Sequence, residues 1–267
     1  MNDKPVPAAY LIDMDGVIYL GNKLQPGAAE FVDYLKRKGI PFLFLTNNAS
    51  LTPEGYRRKL EKLGIDVSAD RFYTSAMATA EYMSENWPAG TPVYAIGIDG
   101  IREALRAKGF RLLKSHKGAK VVVVGFDPKI TYARLREATL AISNGAVFIG
   151  TNPDVSLPTE HGIYPGNGAI IAALKAATGV EPIIIGKPSP TIFLEALKRL
   201  GTSPGETAMI GDRIETDIVG AQKVGLLTVF LTSGASGEEG LKRLTTPPDF
   251  VFRHLEEFLQ WLKSHDD

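Results

Sequence analysis

The sequence predicts an α/β protein, a doubly wound parallel sheet interrupted by an inserted α/β domain, and three observations predict it. Short apolar runs alternate with longer segments of helical period, which is the pattern of a parallel sheet wrapped by helices. Four of these runs end in clusters of reactive polar residues, where a doubly wound sheet binds its ligands. Between the second and third clusters lies a long stretch with strands and helices of its own.

The first run, Tyr10-Leu11-Ile12, ends at Asp13. A helix is expected from Pro26, with Phe31, Val32 and Leu35 on one face and Gly39 as its stop signal. The second run, Pro41 to Leu45, ends in Thr46-Asn47-Asn48. Thr52-Pro53-Glu54 then supplies an N-cap, an N1 proline and a first-turn acid for a helix through Leu60 and Leu63 to Gly64. Near Ser75 the character changes. Trp87-Pro88-Ala89-Gly90 breaks the chain, and new strands are expected at Val93 to Ile96 and Val121 to Val124. A helix from Thr131 through Leu135, Ala138 and Ile142 leads to a further strand, Val147 to Ile149. The runs Ile183-Ile184-Ile185 and Ala208-Met209-Ile210 end in Gly186-Lys187-Pro188 and Gly211-Asp212, and both read as strands of the first sheet. A last strand is expected near Phe250-Val251-Phe252 and a last helix from Leu255 to Leu262. The expected division is therefore 1–78 and 181–267 for the two parts of one core, with 79–180 as the insertion.

Composition narrows the function. Hydrophobic residues make up 44% of the 267, enough to bury a sizeable core. Lys+Arg and Asp+Glu balance at 30 each with no basic block, which argues against nucleic-acid and anionic-membrane partners and for a small ligand. The lack of cysteine excludes thiolate metal sites and a thiol nucleophile. No apolar run approaches the ~18–20 residues needed to span a bilayer. The start, Met1 to Ala9, lacks the features of a secretion signal, so a cytoplasmic protein is expected. His116, His161, His254 and His265 form no H-E-x-x-H array, and no G-x-S-x-G marks a serine hydrolase.

The strand ends hold Asp13-Met14-Asp15-Gly16-Val17, Thr46-Asn47-Asn48, Lys187-Pro188, and Gly211-Asp212-Arg213 followed by Thr216-Asp217. In that order and spacing they resemble the haloacid dehalogenase-like phosphatases, in the branch of p-nitrophenylphosphatases and NagD-like nucleotide phosphatases. The stretch Gly150-Thr151-Asn152-Pro153-Asp154 through Tyr164-Pro165-Gly166-Asn167-Gly168 also resembles that branch, in which the insertion is a cap domain. On the residues alone, Asp13 and Asp15 stand two apart at a strand end. Period-two geometry puts both side chains on one side, ~6–7 Å apart along the backbone, so that one can attack while the other moves a proton. The resemblance implies that Asp13 attacks phosphorus to form an aspartyl-phosphate, and that Asp15 protonates the leaving oxygen and then activates water.

Thr46 can donate its hydroxyl, and Asn47 its backbone N–H, to phosphoryl oxygens, while Lys187 adds positive charge. Asp212 completes an oxygen-only site with Asp13, suited to Mg²⁺, with the Asp15 backbone carbonyl as the contact the family implies. Asp217 would orient these ligands from outside. Asp212-Arg213-Ile214-Glu215 also fits the spacing of a helix capping box, and Gly166-Asn167-Gly168 reads as a helix-entry turn. In the cap, Asn152 to Gly166 reads as a loop stiffened by Pro153, Pro158 and Pro165, with Asp154, Leu157 and Tyr164 as candidate specificity residues. The function expected is a Mg²⁺-dependent phosphatase of small phosphorylated metabolites, nucleoside monophosphates and p-nitrophenyl phosphate among them. Phosphoglycolate, pyridoxal phosphate and sugar phosphates are the alternatives, and a nucleotide-binding module without turnover is the reading from another class. The resemblance also implies pairing of caps into a homodimer.

Overall fold

The structure, a computed structural model, describes residues 5–159 and 161–265. In chain order its elements are β1 (Ala9–Ile12), a small hairpin of β2 (Tyr19–Leu20) and β3 (Lys23–Leu24), α1 (Ala28–Lys38), β4 (Phe42–Thr46), α2 (Pro53–Lys62) and β5 (Phe72–Thr74). Next come α3 (Ser75–Asn86), β6 (Pro92–Ile96), α4 (Asp99–Ala107), β7 (Arg111–Leu113), β8 (Val121–Val124), α5 (Tyr132–Ser143) and β9 (Val147–Gly150). They are followed by β10 (Ser156–Thr159), β11 (Gly162–Pro165), α6 (Asn167–Thr178), β12 (Ile183–Ile184), α7 (Pro190–Leu200) and β13 (Thr207–Gly211). The chain ends with α8 (Val219–Lys223), β14 (Leu227–Leu231), β15 (Phe250–Phe252) and α9 (Leu255–Ser264). No helix among the described residues is long and apolar enough to cross a membrane.

By internal contacts the chain divides into two compact units. One holds Met1–Thr46, Arg57–Tyr73 and Lys187–Asp267, and the other holds Asn47–Tyr56 and Thr74–Gly186. The segment expected as an insertion, 79–180, lies inside the second.

The first unit is built on a six-stranded sheet in the order β15-β14-β13-β1-β4-β5. β1 runs parallel to both neighbours, with Ile12 opposite Ile210 on β13 and Phe44 on β4. Both β1 and β4 are buried at every position, as strands covered on two faces must be. α1 presents Phe31, Val32 and Leu35 to the sheet and ends at Gly39, whose left-handed backbone stops the helix. Phe31 and Phe258 of α9 pack edge-on against Tyr10 at centroid separations of 5.7 and 6.0 Å, so the two helices share one aromatic cluster over β1. The chain builds outward from β1 to β4 and β5 on one side and to β13, β14 and β15 on the other. The order therefore reverses at β1 and β13, and a doubly wound sheet opens its ligand crevice where it reverses.

The second unit has a five-stranded sheet, β12-β9-β8-β6-β7, parallel at every pairing. Its core packs Val122, Val124 and Phe148 against Ala138, Ile142 and Leu174 of α5 and α6. Thr131 caps α5 through its hydroxyl, which accepts from the Arg134 N–H. Two sequence expectations change here. The isoleucine run is not a strand of the first sheet. Ile183 and Ile184 pair with Ile149 and Gly150 of β9, and Ile183 is 39% exposed at that sheet's edge. An apolar run specifies a strand but carries no address for the sheet it joins. The segment Asn152 to Gly166 is also more than a stiff loop. It folds into an antiparallel ribbon with Leu157 opposite Tyr164 and Pro158 opposite Ile163, and Glu160 of it lies outside the described residues. A two-stranded ribbon has two edges, where the missing N–H of proline is tolerated. The helix-entry reading of Gly166-Asn167-Gly168 agrees with α6, which begins at Asn167.

Candidate active site

Asp13 follows β1 directly and is buried. The strand stops at Ile12, and the chain turns. The Met14 carbonyl accepts from the N–H groups of Val17, Ile18 and Tyr19 at 3.3, 2.9 and 3.2 Å, and Gly16 donates to the Tyr19 carbonyl at 2.7 Å. Period-two alternation therefore does not govern Asp15. It sits in the turn, half-buried, while Asp13 is enclosed. The Lys59 ammonium from α2 lies 3.6 Å from the centre of the Tyr19 ring, a cation–π contact beside that turn. Burial lowers the Lys59 pKa and the Asp15 carboxylate opposes the fall.

Asp212 follows β13, the neighbour of β1, and Thr46 closes β4 on the other side. Both are buried. The capping-box alternative for Asp212 is not what forms. Its Oδ2 accepts from the Ala235 N–H at 2.7 Å, and Glu215 pairs instead with Arg243 at 2.7 Å. The turn after it, Ile214–Ile218, is π-helical and carries Asp217 back to the strand end, where its Oδ2 accepts from the Arg213 N–H at 3.1 Å. Lys187 completes the group. Its Nζ lies 2.8 Å from Asp13 Oδ1 and 2.7 Å from Asp217 Oδ1. Asp217, expected outside the ligand set, thus stands in the same cluster as Asp13 and Asp212, each offering a carboxylate oxygen within 4.8 Å of the others.

The charges do not balance. Burial raises the Asp13 pKa well above the usual aspartate value, against the pull of Lys187, and the Asp217 and Asp212 carboxylates raise it further. Burial, then Asp217, pushes Asp212 up to about 6. Burial would depress Lys187, but Asp13 and Asp217 outweigh it and hold the ammonium charged. Both partners of the Lys187–Asp13 pair are thus pushed upward, Asp13 chiefly by burial and then by its neighbouring carboxylates, and Lys187 by the carboxylates it touches.

That deficit, an all-oxygen donor set and one orphaned atom fit a hard divalent cation. Asp212 Oδ1 is buried with no hydrogen-bond partner among the described residues, whereas buried carboxylate oxygens ordinarily find one. Space is kept for that carboxylate by glycine, since a Cβ on Gly16 or Gly234 would overlap it.

The other expected residues gather in the second unit. Asn47 donates its side-chain amide to Asp154 Oδ2 at 3.0 Å, and Leu157 faces Tyr164 across the ribbon. Three kinds of residue escaped the sequence reading: the Ala235 N–H that orients Asp212, the Ser75 hydroxyl, and the buried amides of Asn152 and Asn167. The run Thr232-Ser233-Gly234-Ala235-Ser236-Gly237 after the apolar stretch Leu227 to Leu231 was the available signal for the first. The others bond mainly to backbone carbonyls, which leave no trace in sequence.

Several known proteins are similar to this chain over most of its length. A family model described as haloacid dehalogenase-like hydrolase matches residues 10–111, and a second, HAD-hydrolase-like model matches residues 184–258. An acid sugar phosphatase of Staphylococcus aureus is 44% identical over 256 residues, covering 96% of this chain and 98% of that one. The p-nitrophenyl phosphatase of Archaeoglobus fulgidus superposes with a TM-score of 0.89 at 33% identity, over 96% of this chain and 100% of that one. NagD of Escherichia coli K-12 gives 0.87 at 32% identity, over 95% and 98%. With β1 and β13 delivering buried carboxylates to one point and relatives matched over nearly its whole length, the chain belongs to the haloacid dehalogenase-like hydrolases, in their NagD-like and p-nitrophenyl phosphatase branch, and is a phosphoric monoester hydrolase.

Proposed function

We propose that this chain is a Mg²⁺-dependent phosphatase of small phosphate monoesters that carries the phosphoryl group on Asp13. The observation supporting it is the buried group of Asp13, Asp212, Asp217 and Lys187 at the end of β1 and β13. Asp13 forms an O–P bond as the ester O–P bond breaks, and Asp15 gives its proton to the leaving oxygen. Asp15 then takes a proton from the water that hydrolyses the acyl phosphate, which restores both carboxyl groups. Lys187 pulls the Asp13 pKa down against the larger effect of burial, and it offsets the repulsion between Asp13 and the incoming phosphate. The Thr46 hydroxyl and the Asn47 N–H hold phosphoryl oxygens. Asp13, Asp212 and the Asp15 carbonyl are the groups that would hold Mg²⁺, which supplies the positive charge that the three carboxylates lack. No single donor suffices: phosphate-monoester hydrolysis needs acceleration of up to ~10²¹-fold, about 28 kcal/mol, and one oxyanion donor supplies ~3–4 kcal/mol.

The phosphoryl group is common to every ester, so choice among substrates falls to the cap ribbon, where Leu157 and Tyr164 oppose each other. Sugar phosphates head the substrates to test, because the relative at 44% identity is an acid sugar phosphatase. Nucleoside monophosphates and phosphoglycolate follow. The test is release of inorganic phosphate from p-nitrophenyl phosphate and from hexose phosphates, with Mg²⁺ and with excess chelator. Turnover is expected to vanish with chelator and in Asp13→Asn. Undiminished turnover in either overturns the mechanism.

A further inference from the structure

Asn47 is held on more sides than a residue leaving a strand needs to be. Its carbonyl accepts two side-chain donors, the Ser75 hydroxyl at 2.6 Å and the Asn152 amide at 2.7 Å. Its own amide donates to Asp154 Oδ2 at 3.0 Å. Asn152 closes the circuit, since its Oδ1 accepts from the Asp154 N–H at 3.1 Å. Behind it, the buried Asn167 amide spans the Asn152 carbonyl at 2.9 Å, the Thr151 hydroxyl at 3.3 Å and the Val124 carbonyl at 3.2 Å, which fixes the Thr151–Asp154 segment to β8.

Two glycines press the segment into place. A Cβ on Gly168 would overlap the Pro153 carbonyl. A Cβ on Gly186, the residue before Lys187, would overlap the Thr151 carbonyl and come within 2.6 Å of Asn47 Oδ1. Both faces of the segment are thus backed by backbone that no side chain separates.

We infer that Ser75, Asn152 and Asp154 form a clamp that aims the Asn47 peptide at the phosphoryl group, making Asp154 a positioning residue and not a reader of the leaving group. The inference rests on the proposal that the Asn47 N–H binds phosphate. With its carbonyl and side-chain amide both tied, Asn47 has little freedom about φ and ψ, which restricts the direction of its N–H. A group that acts through Asn47 touches only what all substrates share. Its loss therefore lowers affinity for every ester and for inorganic phosphate by the same factor. A residue that reads the leaving group changes the ratio between esters and leaves inorganic phosphate alone.

The experiment measures KM and kcat for p-nitrophenyl phosphate and a hexose phosphate, together with inhibition by inorganic phosphate. The variants are Ser75→Ala, Asp154→Ala, Asp154→Asn and Asn152→Ala, with Thr46→Val as reference. Ser75→Ala and Asp154→Ala are expected to weaken phosphate inhibition about 3- to 10-fold, the effect of one lost hydrogen bond, and to leave the ratio of kcat/KM between the esters unchanged. Asp154→Asn keeps an acceptor for the Asn47 amide and is expected to restore most of the affinity. Ser75→Ala and Asp154→Ala decide the matter even if Asn152→Ala does not fold. If Asp154→Ala alters the ratio between esters while phosphate inhibition holds, the clamp is overturned. If Thr46→Val weakens phosphate inhibition and Ser75→Ala does not, the clamp fails while the phosphate-binding reading of this loop stands. If neither Thr46→Val nor any of the other variants weakens phosphate inhibition, that underlying reading fails.

Discussion

Lys187 touches two carboxylates and faces a third without touching solvent, so its removal would leave a buried excess of negative charge. Breaking a buried pair by deleting one partner typically costs ~3–5 kcal/mol, because the remaining charge is stranded. Lys187→Met should therefore lower stability by about 3 kcal/mol or more in chelator, as well as removing turnover. Adding Asp13→Asn to that variant should restore part of the loss, since it removes one stranded charge. A thermal unfolding series on the two single variants and the double variant checks this, and a double variant no more stable than Lys187→Met would count against a shared charge cluster. Asp13 and Asp212 were legible in the sequence because each follows an apolar run that forms a strand of the first sheet, and Lys187 was legible by its apolar run although that run joins the other sheet. Asp15 was legible by identity but not by geometry. The alternation rule needs a continuing strand, and here the chain turns at once.

At the level of elements, the ribbon of β10 and β11 pairs with no other strand among the described residues and leaves Ile163 78% and Tyr164 47% exposed. Apolar side chains displayed on a ribbon outside any larger sheet suit contact with a varied leaving group better than they suit packing. Leu157→Ala and Tyr164→Ala should then shift kcat/KM between a hexose phosphate and a nucleoside monophosphate by roughly 5- to 200-fold, the worth of one to a few apolar contacts. The same factor on every substrate would remove the ribbon from specificity. Its prolines suggested stiffness from sequence, but strand pairing was hidden because Pro158 and Pro165 demote any strand reading. Ile183 and Ile184 show the opposite failure, a plain strand signal assigned to the wrong sheet. The partner, Gly150, has no side chain to announce that a strand will lie beside it.

Over the whole molecule, balanced charge conceals a local imbalance that metal-free protein must carry into its core. The parallel sheet was legible to the extent that reactive residues recur at the ends of β1, β4 and β13, since a parallel sheet gathers such ends in one place, whereas the cluster at Lys187 follows a strand of the other sheet. The resulting density of carboxylates has a consequence for stability. Burial and the Asp217 carboxylate push the Asp212 pKa up to about 6, from the ordinary aspartate value of 3.8. Asp13 is raised in the same direction. Between those two pH values the native state keeps a proton that the unfolded chain has released, so stability falls as pH rises through that window. In chelator, the unfolding midpoint should therefore drop from pH 4 toward pH 6 by more in the wild type than in Asp212→Asn. Mg²⁺ should reverse the loss. A ligand present at a hundred times its Kd contributes about 2.7 kcal/mol, and competition from protons makes that contribution larger at pH 7 than at pH 5. Asp212→Asn should lose most of the Mg²⁺-dependent rise in midpoint as well as part of the pH slope. An equal rise with Mg²⁺ in the wild type and in Asp212→Asn would place the cation elsewhere, and the orphaned oxygen of Asp212 would need another partner.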